Sequence, residues 1–248
     1  MAKRQTVQSE EVSRPQQQVS NALKIRLDHL KTFDPLTDNQ KIFFDAYKRG
    51  DYFVALHGVA GTGKTFCAMY KALEEVLDKA NTFTKVIVVR SAVQSREMGH
   101  LPGDVSEKMD IYQQPYRQIC ETLFGRKDAY DRLSEQGHIE FISTSFIRGC
   151  TWDDAIIIVD ECQNCSWEEL NTCMTRVGYR SKIIFCGDYR QTDLNKKKND
   201  LSGLTKFLEV SSLMKSHTRV EFTLEDIVRS SLVRDWIEAL IKYEDCER

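Results

Sequence analysis

The sequence predicts an α/β protein with a mostly parallel sheet and helices on both faces. Three observations carry that expectation. Short apolar runs rich in β-branched residues recur at 85–89, 155–159 and 182–186. They are continuous rather than alternating, the pattern of strands buried on both sides. Stretches with apolar residues at steps of three and four separate them, so strands and helices alternate. A length of 248 residues with 41% hydrophobic content suits one such domain with decoration.

Taken in order, residues 1–20 are polar and Gln-rich and read as a disordered tail, leaving 21–248 as a single domain. Residues 21–32 carry Leu23, Ile25, Leu27 and Leu30, enough for a short helix docked on that domain. Residues 37–49 form a firmer helix. Thr37 and Gln40 have capping-box spacing, and Ile42, Phe43, Ala46 and Tyr47 share a face. The run 52–56 leads as a strand into a glycine-rich loop, and 66–77 leads out of it as a helix. Strand 85–89 is closed by Arg90, and Leu101-Pro102-Gly103-Asp104 is a turn. The next amphipathic stretch carries Val105, Met109, Tyr112, Tyr116, Ile119 and Leu123, with Pro115 expected to kink or divide it. Strands follow at 139–142 and 155–159. Ser166 and Glu169 make a capping box for a helix that ends before Gly178. Strand 182–186, a charged loop at 195–199, a short strand at 220–223 and a last helix bearing Val228, Leu232, Trp236, Leu240 and Tyr243 complete the chain.

Composition limits the function. The formal net charge of −2 supplies no global positive field for nucleic acid, so any such binding needs a local basic surface. The eight cysteines, with no signal peptide ahead of them, read as reduced, buried thiols of a cytoplasmic protein. Cys162-x-x-Cys165 has no second such pair and no nearby histidine pair, so structural zinc is not expected. No apolar run approaches the ~20 residues that span a bilayer.

The chemistry centres on Gly58-Val59-Ala60-Gly61-Thr62-Gly63-Lys64-Thr65, which fits G-x-x-x-x-G-K-[ST]. Its glycines let successive N–H groups converge on phosphate oxygens, and the following helix, opening through Phe66, adds the positive end of its dipole. Lys64 is placed to reach the β- and γ-phosphates of a nucleoside triphosphate, and the Thr65 hydroxyl to ligate magnesium. Asp160 ends a β-branched strand, the setting of a metal-binding aspartate. Glu161 beside it is placed to orient or deprotonate water, which favours hydrolysis over transfer to an acceptor. Gln163 is either a γ-phosphate contact or a polar loop residue. Gln191, after the next strand, is a candidate to sense the γ-phosphate or position water. Arg229 and Arg234 are equal candidates to stabilise transition-state charge. Gln40 has two competing roles, cap partner or reader of an adenine edge. Arg90, Arg96 and the Lys196-Lys197-Lys198 loop are candidates for a nucleic-acid surface, with a solvated charge run as the alternative for the lysines.

Together the phosphate loop, Val159-Asp160-Glu161-Cys162-Gln163-Asn164 and Gly187-Asp188-x-x-Gln191-x-Asp193-Leu194 resemble the PhoH-like ATPases, relatives of the superfamily 1 helicase core. Val89-Arg90-Ser91-Ala92-Val93, Leu101-Pro102-Gly103-Asp104, Ser202-Gly203-Leu204 and Asp226-Ile227-Val228-Arg229 extend the likeness, which runs from about Leu36 to Trp236. The resemblance implies a RecA-like P-loop ATPase domain using ATP and Mg2+, a role in RNA metabolism, and a link to phosphate starvation in name. It implies that Asp160 and Glu161 form the Walker B pair and that Gln191 is the motif III glutamine. It also favours Arg229 over Arg234, and it places Gln40 where related helicases read adenine. Cys162, Ser91, Arg190 and Asn195 depart from the family pattern. Three functions follow as alternatives: an ATPase that remodels RNA or single-stranded nucleic acid, a slow nucleotide-dependent switch acting on a protein partner, and a small-molecule kinase. The carboxylate pair and Gln191 weigh against the kinase. A single RecA-like domain implies a homo-oligomer, such as a ring, for motor activity.

Overall fold

Among the described residues, six parallel strands form one sheet in the order β3-β2-β4-β5-β1-β6. They are β1 (Phe53–Gly58), β2 (Lys85–Arg90), β3 (Ile139–Ser143), β4 (Ala155–Asp160), β5 (Lys182–Gly187) and β6 (Thr218–Phe222). The computed structural model describes residues 24–91, 105–188 and 203–246. The helices are α1 (Asp38–Arg49), α2 (Lys64–Leu77), α3 (Val105–Phe124), α4 (Ala129–Glu135), α5 (Trp167–Arg176), α6 (Gly203–Ser211) and α7 (Ser231–Cys246).

The continuous apolar strands are explained by two cores, one on each face. Val54, Leu56, Val88, Ile158 and Ile184 point to a core shared with α1 to α4. Their neighbours Phe53, Ala55, Val89, Val159 and Phe185 point to a core shared with α5 and α6. A residue-by-residue alternation of face with both faces apolar gives the unbroken runs seen in the sequence.

The sheet order positions the site. β1 lies between β5 and β6, and β5 separates it from β4. The carboxyl ends of β1, β4 and β5 therefore share one edge of the sheet, where ligands of parallel α/β folds collect.

Several local expectations need correction. Residues 24–36 form no helix beyond one 3-10 turn at Leu27–His29. Backbone bonds hold this segment down instead: Ile25 exchanges two with the Gln136 amide, at 2.8 and 3.0 Å, and Lys31 N–H donates to Leu123 O at 2.9 Å. Pro115 does not divide α3, which continues through it. Val228 and Arg229 precede α7 rather than lie on it. The capping boxes differ as well. At α5 the exchange is reciprocal: Glu169 N–H donates to Ser166 Oγ at 3.2 Å, and Ser166 N–H to Glu169 Oε2 at 2.8 Å. At α1 only the Thr37 half forms, because the Gln40 side chain is engaged elsewhere. The expected tail, the turn at 101–104 and the charged loop at 195–199 lie outside the described residues.

Candidate active site

The phosphate loop grows out of the end of β1. Gly58 sits at φ 119°, and a Cβ there would lie 2.0 Å from the Phe222 carbonyl oxygen. Glycine is therefore what lets β6 close against the loop, where Val59 N–H donates to that same carbonyl at 3.0 Å. Gly61 and Gly63 are also left-handed, and they turn the chain into α2. The N-terminus of α2 opens on a cleft of about 820 Å3, lined by the loop, the ends of β2, β4 and β5, residues of α3 and Arg229.

Lys64 is buried against the loop. Its ammonium donates to Gly58 O at 3.0 Å, Val59 O at 2.7 Å and Thr62 Oγ1 at 3.2 Å. Burial lowers its pKa, opposed by Asp188, Cys186, Glu161 and Asp160. The loop carbonyls thus hold the cation at the cleft, where an anionic phosphate would meet it.

The Thr65 hydroxyl donates to Asp160 Oδ1 at 2.7 Å, and the Tyr116 hydroxyl donates to Asp160 Oδ2 at 2.8 Å. Burial raises the Asp160 pKa, as does the neighbouring Glu161 charge; the hydrogen bonds from Thr65 and Tyr116 and the charge of Arg90 act the other way. A hydroxyl and a carboxylate are hard oxygen donors, the chemistry magnesium takes. No group of three or more His, Cys, Asp or Glu could hold a metal among the described residues.

Glu161 follows in a left-handed conformation, φ 50°, costly for a residue with a Cβ and typical of functional sites. It begins a 3-10 turn over Cys162–Asn164. Gln163 donates through Nε2 to Glu161 Oε2 at 2.6 Å, and its Oε1 accepts from Asp188 N–H at 3.0 Å. Gln163 therefore ties the carboxylate to the end of β5.

The other sequence candidates divide. Arg229 lines the cleft, its Cγ 3.1 Å from where a Cβ on Gly61 would stand. Arg234 instead donates to Ile227 O at 3.1 Å, bracing the turn before α7. Gln40 is buried. Its Oε1 accepts from Leu36 N–H at 2.8 Å and its Nε2 donates to Thr62 O at 3.0 Å, tying the segment before α1 to the phosphate loop. Ala60 and Phe66 line the cleft, and Val59 bonds to β6. Arg90 also lines the cleft, with its guanidinium 5.6 Å from the Tyr112 ring centre. Gln191, Arg96, Lys196, Lys197 and Lys198 lie outside the described residues. Tyr116 was missed, because in sequence it is one more member of the apolar stripe of α3. Cys162 and Cys165 are buried free thiols whose pKa values burial drives up, so neither favours the thiolate a metal needs.

A glycine loop at the end of a parallel strand, its lysine and threonine, and an Asp-Glu pair across one intervening strand define a P-loop NTPase with a RecA-like α/β fold. The chain belongs to the PhoH-like family, whose model, described as "PhoH-like protein", matches residues 32–241. A PhoH-like protein of Mycobacterium leprae is 35% identical over 226 residues, covering 90% of this chain and 62% of that one. One from Bacillus subtilis is 38% identical over 207 residues, covering 83% and 63%. Protein PhoH of Escherichia coli K12 is 34% identical over 187 residues, covering 73% and 51%. The chain thus spans between half and two thirds of these relatives' lengths. Among solved structures, the Pif1 helicase from Candida albicans aligns with a TM-score of 0.37 and 15% identity, over 77% of this chain and 41% of that one. The Walker-type ATPase paby2304 of Pyrococcus abyssi aligns at 0.31 and 16%, over 80% and 55%. No helix among the described residues is long and apolar enough to cross a membrane.

Proposed function

We propose that this chain binds ATP with magnesium at the phosphate loop, hydrolyses it, and couples turnover to remodelling of RNA or another single-stranded nucleic acid. The observation that carries the ATPase reading is the 2.7 Å contact between Thr65 Oγ1 and Asp160 Oδ1, with Glu161 next in the chain. The backbone N–H groups of the loop and Lys64 bind the β- and γ-phosphates and orient the terminal one. Thr65 and Asp160 would hold magnesium, which would neutralise charge developing on the phosphate oxygens. Glu161 orients the attacking water and takes its proton, and Gln163 fixes the carboxylate for that task. Arg229 stabilises charge on the transferring phosphoryl group. Gln191 is proposed as the water-positioning glutamine.

The nucleic-acid part rests on family membership and on the basic residues Arg96 and Lys196 to Lys198. Arg90 fits a nucleotide-site role better, since it lines the cleft beside Asp160. For motor activity we propose a homo-oligomer, such as a ring, in which neighbouring RecA-like domains act together. The deciding experiment measures phosphate release from magnesium ATP with and without single-stranded RNA and DNA. Stimulation by either supports the reading. Slow turnover unaffected by both would favour a nucleotide-dependent switch.

A further inference from the structure

Tyr116 has no solvent exposure, and its ring packs against Phe141 with centres 5.8 Å apart. A buried tyrosine hydroxyl needs a partner, and a backbone carbonyl would serve. Here the partner is the Walker B carboxylate, at 2.8 Å. Arg90, the residue paired with Asp160 in the β2–β4 register, lies close enough for its charge to act on both the hydroxyl and the carboxylate. Thr65 holds the other carboxylate oxygen, but it is itself a metal ligand in the reading above. The threonine oxygen can give a lone pair to the metal while its proton stays on Oδ1; Tyr116 holds Oδ2 and is not itself a metal ligand in that reading.

We propose that Tyr116 is a positioning residue for the magnesium site: from α3 it fixes the Asp160 carboxylate in the orientation that receives the ion. This rests on the magnesium–nucleotide reading. It makes α3 a mechanical link to the metal.

The test is an equilibrium titration with a fluorescent ATP analogue, first in EDTA and then against increasing Mg2+. Tyr116→Phe keeps the ring and removes the hydroxyl. Losing a partner that orients a metal ligand typically costs 10–100-fold in metal affinity, so the half-saturating Mg2+ concentration should rise by roughly tenfold. Affinity in EDTA should stay within about twofold, because the phosphate loop is untouched. Tyr116→Met also removes the hydroxyl and fills the buried space with a flexible apolar chain; it carries the test with the same expected shift if Tyr116→Phe does not fold. An unchanged Mg2+ midpoint in the folded variants overturns the proposal, and so does equal weakening with and without metal. A wild-type protein that binds the analogue in EDTA without responding to Mg2+ also overturns it, leaving the nucleotide site intact. Failure of the wild type to bind under either condition removes the nucleotide reading itself.

Discussion

Replacing Glu161 by glutamine separates binding from chemistry. The amide is nearly isosteric with the carboxylate and keeps an oxygen that can accept from Gln163 Nε2, now at 2.6 Å from Glu161 Oε2. The tie from Gln163 to Asp188 N–H, 3.0 Å, is untouched. The left-handed backbone at φ 50° is equally awkward for either residue, so stability should change little. One negative charge leaves the neighbourhood of the phosphates, which leaves ATP affinity unchanged or slightly tighter. What is lost is the proton acceptor. A positioned general base contributes about 10²–10⁴ in rate, equivalent to about 3–5 kcal/mol of barrier. Glu161→Gln should therefore lower kcat by at least a hundredfold while the Kd for magnesium ATP stays within about threefold. Single-turnover phosphate release and equilibrium nucleotide binding, on the same preparation, read the two quantities. A kcat within threefold of wild type, or a Kd that weakens in proportion to kcat, refutes the assignment of Glu161 as the base.

Gly58→Ala should destabilise by about 3 kcal/mol or more, because its Cβ meets the Phe222 carbonyl at 2.0 Å and φ is 119°. Gly50→Ala, at φ 87° with open space around it, should cost only about 1 kcal/mol in urea unfolding. His57 is buried and accepts from Arg219 Nε at 2.5 Å; burial, then Arg219 and Lys64, lowers its pKa to about 4. The unfolded chain binds the His57 proton near pH 6.5 and the folded chain only near 4, so this group's stabilisation is present above 6.5 and is lost as pH falls towards 4. That amounts to roughly 3 kcal/mol; His57→Gln should flatten this part of the stability profile, and an unchanged slope would assign it to other groups. Arg229 lines its own chain's cleft, so mixtures of inactive Arg229→Ala and Lys64→Ala proteins should stay inactive in a phosphate-release assay. Recovery of activity on mixing would mean that Arg229 serves a neighbouring subunit.

Much of this architecture is legible in sequence because its signals are local. A phosphate loop declares its glycines and lysine in eight consecutive residues, and strands buried on both faces declare themselves as unbroken apolar runs. The Ser166–Glu169 box depends on residues three apart, and it forms as expected. What sequence hid depends on contacts between distant segments. Gln40 has the spacing of a cap partner, yet its amide bonds Thr62, twenty-two residues on. Arg90 ends a strand and suggests a surface cation, but the approach of α3 encloses it beside Tyr112 and Tyr116. Tyr116 repeats with helical period alongside true core residues, and nothing local marks its hydroxyl as a partner of Asp160. Residues 21–32 carry apolar residues enough for a helix, but of them 24–32 form only the turn at Leu27–His29, tied down by bonds to Gln136 and Leu123. The short helix α4 and the helix α6 had no clear periodic signal of their own.

The most direct test of the central claim is calorimetric titration of the wild-type protein and of Lys64→Ala with magnesium ATP. The phosphate loop wraps the Lys64 ammonium, through Gly58 O, Val59 O and Thr62 Oγ1. The account predicts saturable one-to-one binding by the wild type and at least a tenfold loss of affinity in a Lys64→Ala protein that remains folded. Equal binding by the two proteins, or no binding by the wild type, would contradict it.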